Sequence, residues 1–223
     1  MDVQALLLSV RLAAVVCLAL LIIGLPLAYW VAFSRWRWKF LVESVVALPL
    51  VLPPTVLGFY VLMAIGARSP IGQAWSAAFG QGLAFSFEGL VIASILYSLP
   101  FAVQPFASAF SQVDRGLLEA SSILGASRLR TFRRIVMPLS RNGIITGVVL
   151  SFAHTIGEFG VVIMVGGNLP GVTRTVSVAI YDDVQALNYA RANATALVLV
   201  LFAVSVLAIV YGLNRRAWVA VRP

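Results

Sequence analysis

The chain has 223 residues, of which 61% are hydrophobic and 11% charged, with a formal net charge of +8 and a mean hydropathy of +0.99. A soluble domain carries about 25% charged residues, and a water-soluble fold of this length has no core large enough to hide so much apolar side chain. One cysteine and one histidine are too few for a multi-ligand zinc site. No G-x-x-x-x-G-K-[ST] run is present, so the chain has no phosphate-binding loop and is not itself an ATPase.

Residues 12–34, 44–67, 89–113 and 192–214 contain no Asp, Glu, Lys or Arg, and 142–173 is interrupted only by Glu158. About 20 apolar residues, at roughly 1.5 Å rise each, cross a hydrocarbon layer about 30 Å thick. The pattern predicts an all-α, polytopic membrane helix bundle of about five transmembrane helices, forming one domain over residues 1–223. Spanning strands would be shorter and would alternate in polarity.

The first run is too long for a signal-peptide core and shows no small-residue cleavage site before Arg35, so it reads as a helix of the mature chain. Cys17 lies inside it and reads as a packing residue. In the second run, ESVVALPLVLPPTVLGFYVL over 43–62, Pro49, Pro53 and Pro54 predict a kinked span. Proline frees backbone carbonyls, which is tolerated where neighbours or a water-filled cavity satisfy them. Pro53, Pro54 and Thr55 are therefore candidates to line a pathway, with a purely structural kink as the alternative. Segment 69–87 is uncharged but rich in Gly, Ser and Gln. It reads as a connection that could carry a short interfacial helix.

Residues 110–141 mix charge with spaced apolar residues. Leu117, Leu118, Ile123 and Leu124 are expected on one face of a short helix that Gly125 ends, and Met137-Pro138 is expected to close the segment before the next span. In 151–171, Ser151, His154, Thr155 and Glu158 recur at spacings of three and four, which predicts one shared helix face. An ionisable residue inside a span is a functional candidate by default. The structural alternative has Glu158 pairing with His154 or accepting hydrogen bonds from a neighbouring helix. A Ser151–His154 nucleophile pair is excluded as improbable geometry, since two positions on one helix rarely supply both a base and an oxyanion hole.

Twelve of the sixteen basic residues fall in three segments: Arg35, Arg37, Lys39; Arg115, Arg128, Arg130, Arg133, Arg134, Arg141; and Arg215, Arg216, Arg222. With five spans these share one side, and the positive-inside rule makes that side the cytoplasm, with the N-terminus outside and the C-terminus inside. Tyr29, Trp30, Trp36, Trp38 and Trp218 sit near span ends, as interfacial aromatics do. The positive charge is thus an orientation signal and not a nucleic-acid surface.

The spacing Glu119-Ala120-Ser121, Gly125, then Ile135-Val136-Met137-Pro138 resembles the signature loop of ABC importer permeases, which reads Glu-Ala-Ala, three residues, Gly, nine residues, Ile, any residue, Leu-Pro. Ser121 and Met137 are mild departures. The resemblance implies that 110–141 is a cytoplasmic coupling loop whose short helix docks on an ATPase subunit, with Glu119, Ala120, Ser121, Gly125, Ile135 and Pro138 as coupling residues and Glu119 suited to the helix dipole near its start. LPLVLPPTVLGFYVL and IGEFGVVIMVGGNLPGVTRTVSVAIYDDVQ are similar to the molybdate/sulfate type of permease subunit. Gly157–Gly160 and Gly167-Asn168 are shared with sulfate permeases. Asn168–Gly171 and Thr173–Thr175 lean toward molybdate. The resemblance implies a homodimer in a prokaryotic plasma (inner) membrane, two ATP-binding cassette subunits that hold ATP and Mg, and an external substrate-binding protein. It implies molybdate or tungstate as cargo, with sulfate as the alternative, and no cofactor on this chain. Asn168 and Arg174 are the candidate contacts for the binding protein. An ion-coupled secondary carrier is the alternative of a different class; it needs no ATPase-docking loop, and no two-half repeat of the kind such carriers show is visible.

Overall fold

The computed structural model describes residues 2–219, with side chains described up to residue 212. Arg215, Arg216, Trp218 and Arg222, read above as an inner basic tail with an interfacial ring, lie outside the residues whose side chains are described.

The first apolar run is one helix, α1 (Val3–Phe33), which passes Pro26 unbroken. Asp2 caps it by accepting from the Ala5 N–H at 3.0 Å, satisfying one donor of an otherwise orphaned first turn. Leu12, Val16 and Leu20 face inward, while Leu7, Leu18, Ile22 and Ile23 lie exposed. A helix apolar on both faces belongs in a large protein core or in a membrane, and the exposure of its outer face here fits the membrane.

The second run is not one kinked helix. It is two half-helices, α2 (Lys39–Val51) and α3 (Pro54–Ile65), bent by 113°. Neither Pro53 nor Pro54 has an N–H to donate, and Leu52 takes the extended backbone (φ −72°, ψ 138°) that a residue before proline prefers. Segment 69–87 does contain a short helix, α4 (Pro70–Phe79), capped by Ser69.

The third run is the continuous helix α5 (Phe87–Ser111), which tolerates Pro100 and Pro105. The polar segment follows as α6 (Arg115–Ile123), α7 (Arg128–Thr131), a π-helical turn (Phe132–Val136) and α8 (Met137–Leu139). Met137-Pro138 does not end this segment, as the sequence suggests. The Met137 N–H bonds Phe132 O, so the widened turn moves the backbone that the proline ring would otherwise strike. The break falls after Leu139, where Arg128–Leu139 meets Arg141–Gly157 at 73°.

The run over 142–173 also divides, into α9 (Arg141–Gly157) and α10 (Gly160–Gly166). Glu158 stands between them with extended backbone (φ −67°, ψ 132°). It therefore does not share a helical face with Ser151, His154 and Thr155. The chain closes with α11 (Val176–Gln185) and α12 (Tyr189–Val219).

Among the described residues three helices are long and apolar enough to cross a membrane unbroken: Val3–Phe33, Phe87–Ser111 and Tyr189–Gly212. Counting each bent pair, Lys39–Val51 with Pro54–Ile65 and Arg128–Leu139 with Arg141–Gly157, as one span brings the number up to five. α1, α5 and α9 form the centre, and Leu90, Val103, Phe106 and Phe110 of α5 pack against Leu12, Val16 and Leu20 of α1. α12 packs mainly on α9 and α11, and Leu197, Leu201, Val204 and Leu207 remain exposed on it.

Candidate functional site

The signature loop is a helix-turn-helix hook. Asp114 caps α6, accepting from the Gly116 N–H at 2.7 Å. Asp114, and not Glu119, thus supplies the negative group at the positive end of the helix; the first turn of α6 contains no acidic residue. The Ala126 N–H reaches back to Ser121 O at 3.0 Å across Gly125, whose φ is +71°. This is the six-to-one closure of a helix end that needs a left-handed residue. Ser127 caps α7, accepting from the Arg130 N–H. Ser121 is buried, and its hydroxyl lies 2.8 Å from that of Thr131, which clamps α6 to α7.

The six signature residues divide by role. Ser121 is buried within the hook and Ile135 packs half-buried on the core of the bundle, whereas Glu119, Ala120, Gly125 and Pro138 are exposed. The four apolar residues expected on one face separate as well. Leu118 packs on the core, while Ile123 and Leu124 are 86% and 84% exposed, because Leu124 already lies past the helix end. Ile123 and Leu124 thus form an exposed apolar pair at the tip of the hook; the sequence pattern hid it by suggesting a common buried face.

The two divided apolar runs, 44–67 and 142–173, meet. α3 and α10 run side by side, with Pro54 against Gly160 and Gly58 against Val161 and Met164. A Cβ on Gly58 would stand 2.8 Å from Met164 Cβ, and one on Gly160 would stand 2.6 Å from Pro54 Cβ, so this approach requires glycine at both. The breaks at Pro53-Pro54 and Glu158-Phe159 consequently fall together. Pro53 and Thr55 are exposed there, and Glu158 is buried. Its Oε1 accepts from the Val161 N–H at 2.7 Å, so it caps α10 and makes no pair with His154.

His154 instead binds across to α5. Its Nδ1 lies 3.0 Å from Ser98 Oγ, which also lies 2.9 Å from Thr155 Oγ1. The imidazole stacks on Phe101 at 3.9 Å between centroids and is flanked by Tyr97 at 4.9 Å. Ser151 and Thr155 are 0% and 1% exposed, which places them inside the protomer and not on an open surface. Ser98, Tyr97 and Phe101 were not singled out by sequence; the signal there was a serine two residues before Pro100 in a charge-free run.

Arg174 is fully engaged. It contacts Asp182 Oδ2 at 2.5 Å, Asn168 Oδ1 at 2.7 Å and Asp2 Oδ2 at 3.9 Å, while Asn168 Nδ2 donates to the same Asp182 oxygen at 2.7 Å. The two residues tie the start of α1 to α11. Leu169 to Val172 form the exposed rim of that loop. Among the described residues no group of three His, Cys, Asp or Glu is placed to hold a metal ion.

The family model described as binding-protein-dependent transport system inner membrane component matches residues 24–219. The chain belongs to this family. The permease is 50% identical over 215 residues to the molybdenum transport system permease protein ModB of Azotobacter vinelandii, covering 96% of this chain and 95% of that one. It is 41% identical over 182 residues to ModB of Escherichia coli K12, covering 82% and 80%. Among solved structures it resembles a chain of a bacterial alginate ABC transporter in complex with an alginate pentasaccharide-bound periplasmic protein, with a TM-score of 0.74 at 17% identity, covering 96% of this chain and 78% of that one. It also resembles a chain of the MetNI methionine ABC transporter in an inward-facing conformation, at 0.71 and 16%, covering 99% and 96%. At those identities the likeness establishes the fold. The permease is a multi-pass, non-catalytic membrane subunit of an ABC transporter, in which ATP hydrolysis belongs to a separate subunit.

Proposed function

We propose that the permease forms the translocation pathway of an ATP-driven molybdate importer, accepting tungstate as a close analogue. It works as a homodimer about a two-fold axis, with two ATP-binding cassette subunits and an external binding protein. Its N-terminus lies outside, and the signature loop and C-terminus lie in the cytoplasm. The observation that carries the mechanism is the α6–Gly125–α7 hook, with Ile123 and Leu124 at its exposed tip. The relatives named for molybdenum transport, matched over nearly the whole chain, support the substrate.

The packing supplies a lever. α6 is clamped to α7 through Ser121 and Thr131. The turn that follows plants Phe132 against Tyr29 at 5.2 Å and Phe110 at 6.0 Å. Ser140 Oγ donates to Ala109 O at 3.2 Å. A displacement of the hook by closing ATPases is therefore delivered to α1, α5 and α9 together, as a rigid-body switch demands. The pathway surface is offered by the paired breaks at Pro53–Thr55 and by the part-exposed His154. Asn168 and Arg174 shape the outer loop whose rim, Leu169 to Val172, meets the binding protein.

The test is uptake of radiolabelled molybdate into proteoliposomes holding the permease with its ATPase and binding protein. The expected result is ATP-dependent uptake blocked by excess tungstate and not by sulfate. Preferential sulfate uptake would move the assignment to the sulfate branch, and uptake that follows an ion gradient without ATP would overturn it.

A further inference from the structure

Two adjoining depressions lie where α7 and the π-helical turn cross the C-terminal half of α1. The first is a groove of about 480 Å³. Its apolar walls are Leu21, Ile22, Leu25 and Pro26 of α1 with Leu129 and Phe132, and Arg128 stands at its edge. The second, of about 260 Å³, is lined by Ser127, Leu129, Arg130, Arg133 and Arg134. Leu129 borders both, so the apolar groove opens directly onto a cluster of arginines. The floor is built, since Phe132 is held edge-on by Tyr29 and Phe110.

The chemistry of the two halves differs sharply. Arg128, Arg130, Arg133 and Arg134 have no ion-pair partner among the described residues, and all four are exposed. Four unneutralised guanidiniums side by side repel one another and attract a polyanionic head. The apolar half continues the lipid-facing surface of a spanning helix, with Ile22 74% exposed. From Leu21 to the end of α1 at Phe33 is about 18 Å at 1.5 Å per residue, close to one leaflet of a hydrocarbon core about 30 Å thick. The groove's wall on α1, from Leu21 to Tyr29, takes up about 12 Å of that length, enough for most of one acyl chain within a single leaflet.

We propose that this is a binding site for one anionic glycerophospholipid, its phosphate on Arg128, Arg130, Arg133 and Arg134 and one acyl chain along Leu21–Pro26 and Phe132. The site depends only on α1 being a membrane span and not on the ion transported. A lipid fits better than the ATPase subunit as occupant, because the groove faces the flank of α1, while the hook offers its own exposed apolar tip at Ile123 and Leu124. The bound lipid would brace the segment that joins the hook to α1.

The experiment uses the intact complex of permease and ATPase in detergent. It is incubated with equal amounts of phosphatidylglycerol and phosphatidylcholine of matched chains, and retained lipid is read by native mass spectrometry. The wild type retains phosphatidylglycerol in preference. Each arginine changed to glutamine among Arg130, Arg133 and Arg134 lowers that retention about fivefold, the factor for one basic residue at an anionic lipid surface. Leu25→Trp, which fills the groove and leaves the arginines in place, lowers retention as well. Equal retention of the two lipids by the wild type overturns the proposal, and so does phosphatidylglycerol retention unchanged by the triple arginine variant. Loss of the ATPase subunit from that variant with lipid still bound assigns the arginines to the ATPase interface instead. Unchanged retention in Leu25→Trp removes the acyl groove.

Discussion

Ser98 on α5 and His154 on α9 are joined by a bond of 3.0 Å between Oγ and Nδ1, and the direction of that bond follows from its neighbours. Thr155 donates its hydroxyl proton to Ser151 O at 2.8 Å, so it must accept from Ser98 at 2.9 Å. Ser98 has then spent its only proton and accepts from His154. The neutral imidazole carries its hydrogen on Nδ1, and Nε2 is left as an acceptor. A relay of three donors thus runs from His154 on α9 through Ser98 on α5 and back through Thr155 to the α9 backbone.

Ser98→Ala removes the middle of that relay. It leaves the part-buried His154 N–H and one buried Thr155 lone pair without that partner. Bonds between membrane helices contribute about 0.6 kcal/mol on average and up to about 1.7 kcal/mol, so two of them put the loss at about 1–2 kcal/mol. The check is unfolding of the purified permease in mixed micelles. Ser111→Ala, at the exposed end of the same helix, is the control and is expected to be neutral. Equal stability of the two variants would sink the relay.

The α3–α10 crossing predicts a graded response among three nearby glycines. Gly160→Ala places a methyl 2.6 Å from Pro54 Cβ, and Gly58→Ala places one 2.8 Å from Met164 Cβ, whereas a Cβ at Gly157 meets nothing within 4 Å. Overpacking costs about 1–3 kcal/mol, which exceeds the gain of about 1 kcal/mol from replacing glycine by alanine in a helix. Gly58→Ala and Gly160→Ala are expected to lower the yield of folded protein and its thermal midpoint, with Gly157→Ala near wild type. Size-exclusion profiles of the three variants decide the matter.

Most of the architecture was legible because lipid imposes long uncharged runs, and those runs are visible without any contact information. What composition concealed was where a run stops being a helix. Pro53-Pro54 announced a kink, but whether consecutive prolines bend a helix or split it depends on a partner, and that partner is Gly160, a hundred residues away. Glu158 misled for the same reason. A spacing of four after His154 suggested a shared face, yet the helix ended at Gly157 and the carboxylate turned forward to cap α10. The signature loop was legible to the residue at Gly125, because positive φ has few sequence solutions. The contribution of Asp114 was missed, since a cap is defined by the helix start, and the start was not fixed. Ser98 could not be found, because one serine in an apolar run acquires meaning only from the histidine across the interface.

Arg174 tests whether the outer loop is braced or free. Its partners Asp2, Asn168 and Asp182 belong to one network. Arg174→Ala and Asp182→Asn should therefore cause similar losses, each about 1 kcal/mol or less given the partial exposure of the pairs. The double variant should lose little beyond either single one, as members of one network do. Binding-protein affinity for the reconstituted complex, measured for all three, separates the readings. A large loss for Arg174→Ala with wild-type affinity for Asp182→Asn would mean that the guanidinium itself contacts the binding protein.

Gly125 offers the sharpest separation of fold from coupling. Its φ of +71° is unfavourable for a side chain, at about 1–2 kcal/mol for most residues, but a Cβ there would meet no atom within 4 Å. The cost of substitution is thus wholly in the backbone, and it falls on the turn between α6 and α7 while the bundle is untouched. Gly125→Val should leave insertion and dimer assembly intact but misplace Ile123 and Leu124, lowering ATP-driven uptake at least tenfold. Gly125→Asn should retain most uptake, because asparagine tolerates the left-handed conformation. Uptake and ATPase activity of both variants, at matched expression in proteoliposomes, are the measurements. If valine and asparagine fail equally, the turn matters for a contact made by the glycine surface and not for its conformation. If both transport as wild type, the hook is not the mechanical link, and the coupling role of α6 falls with it.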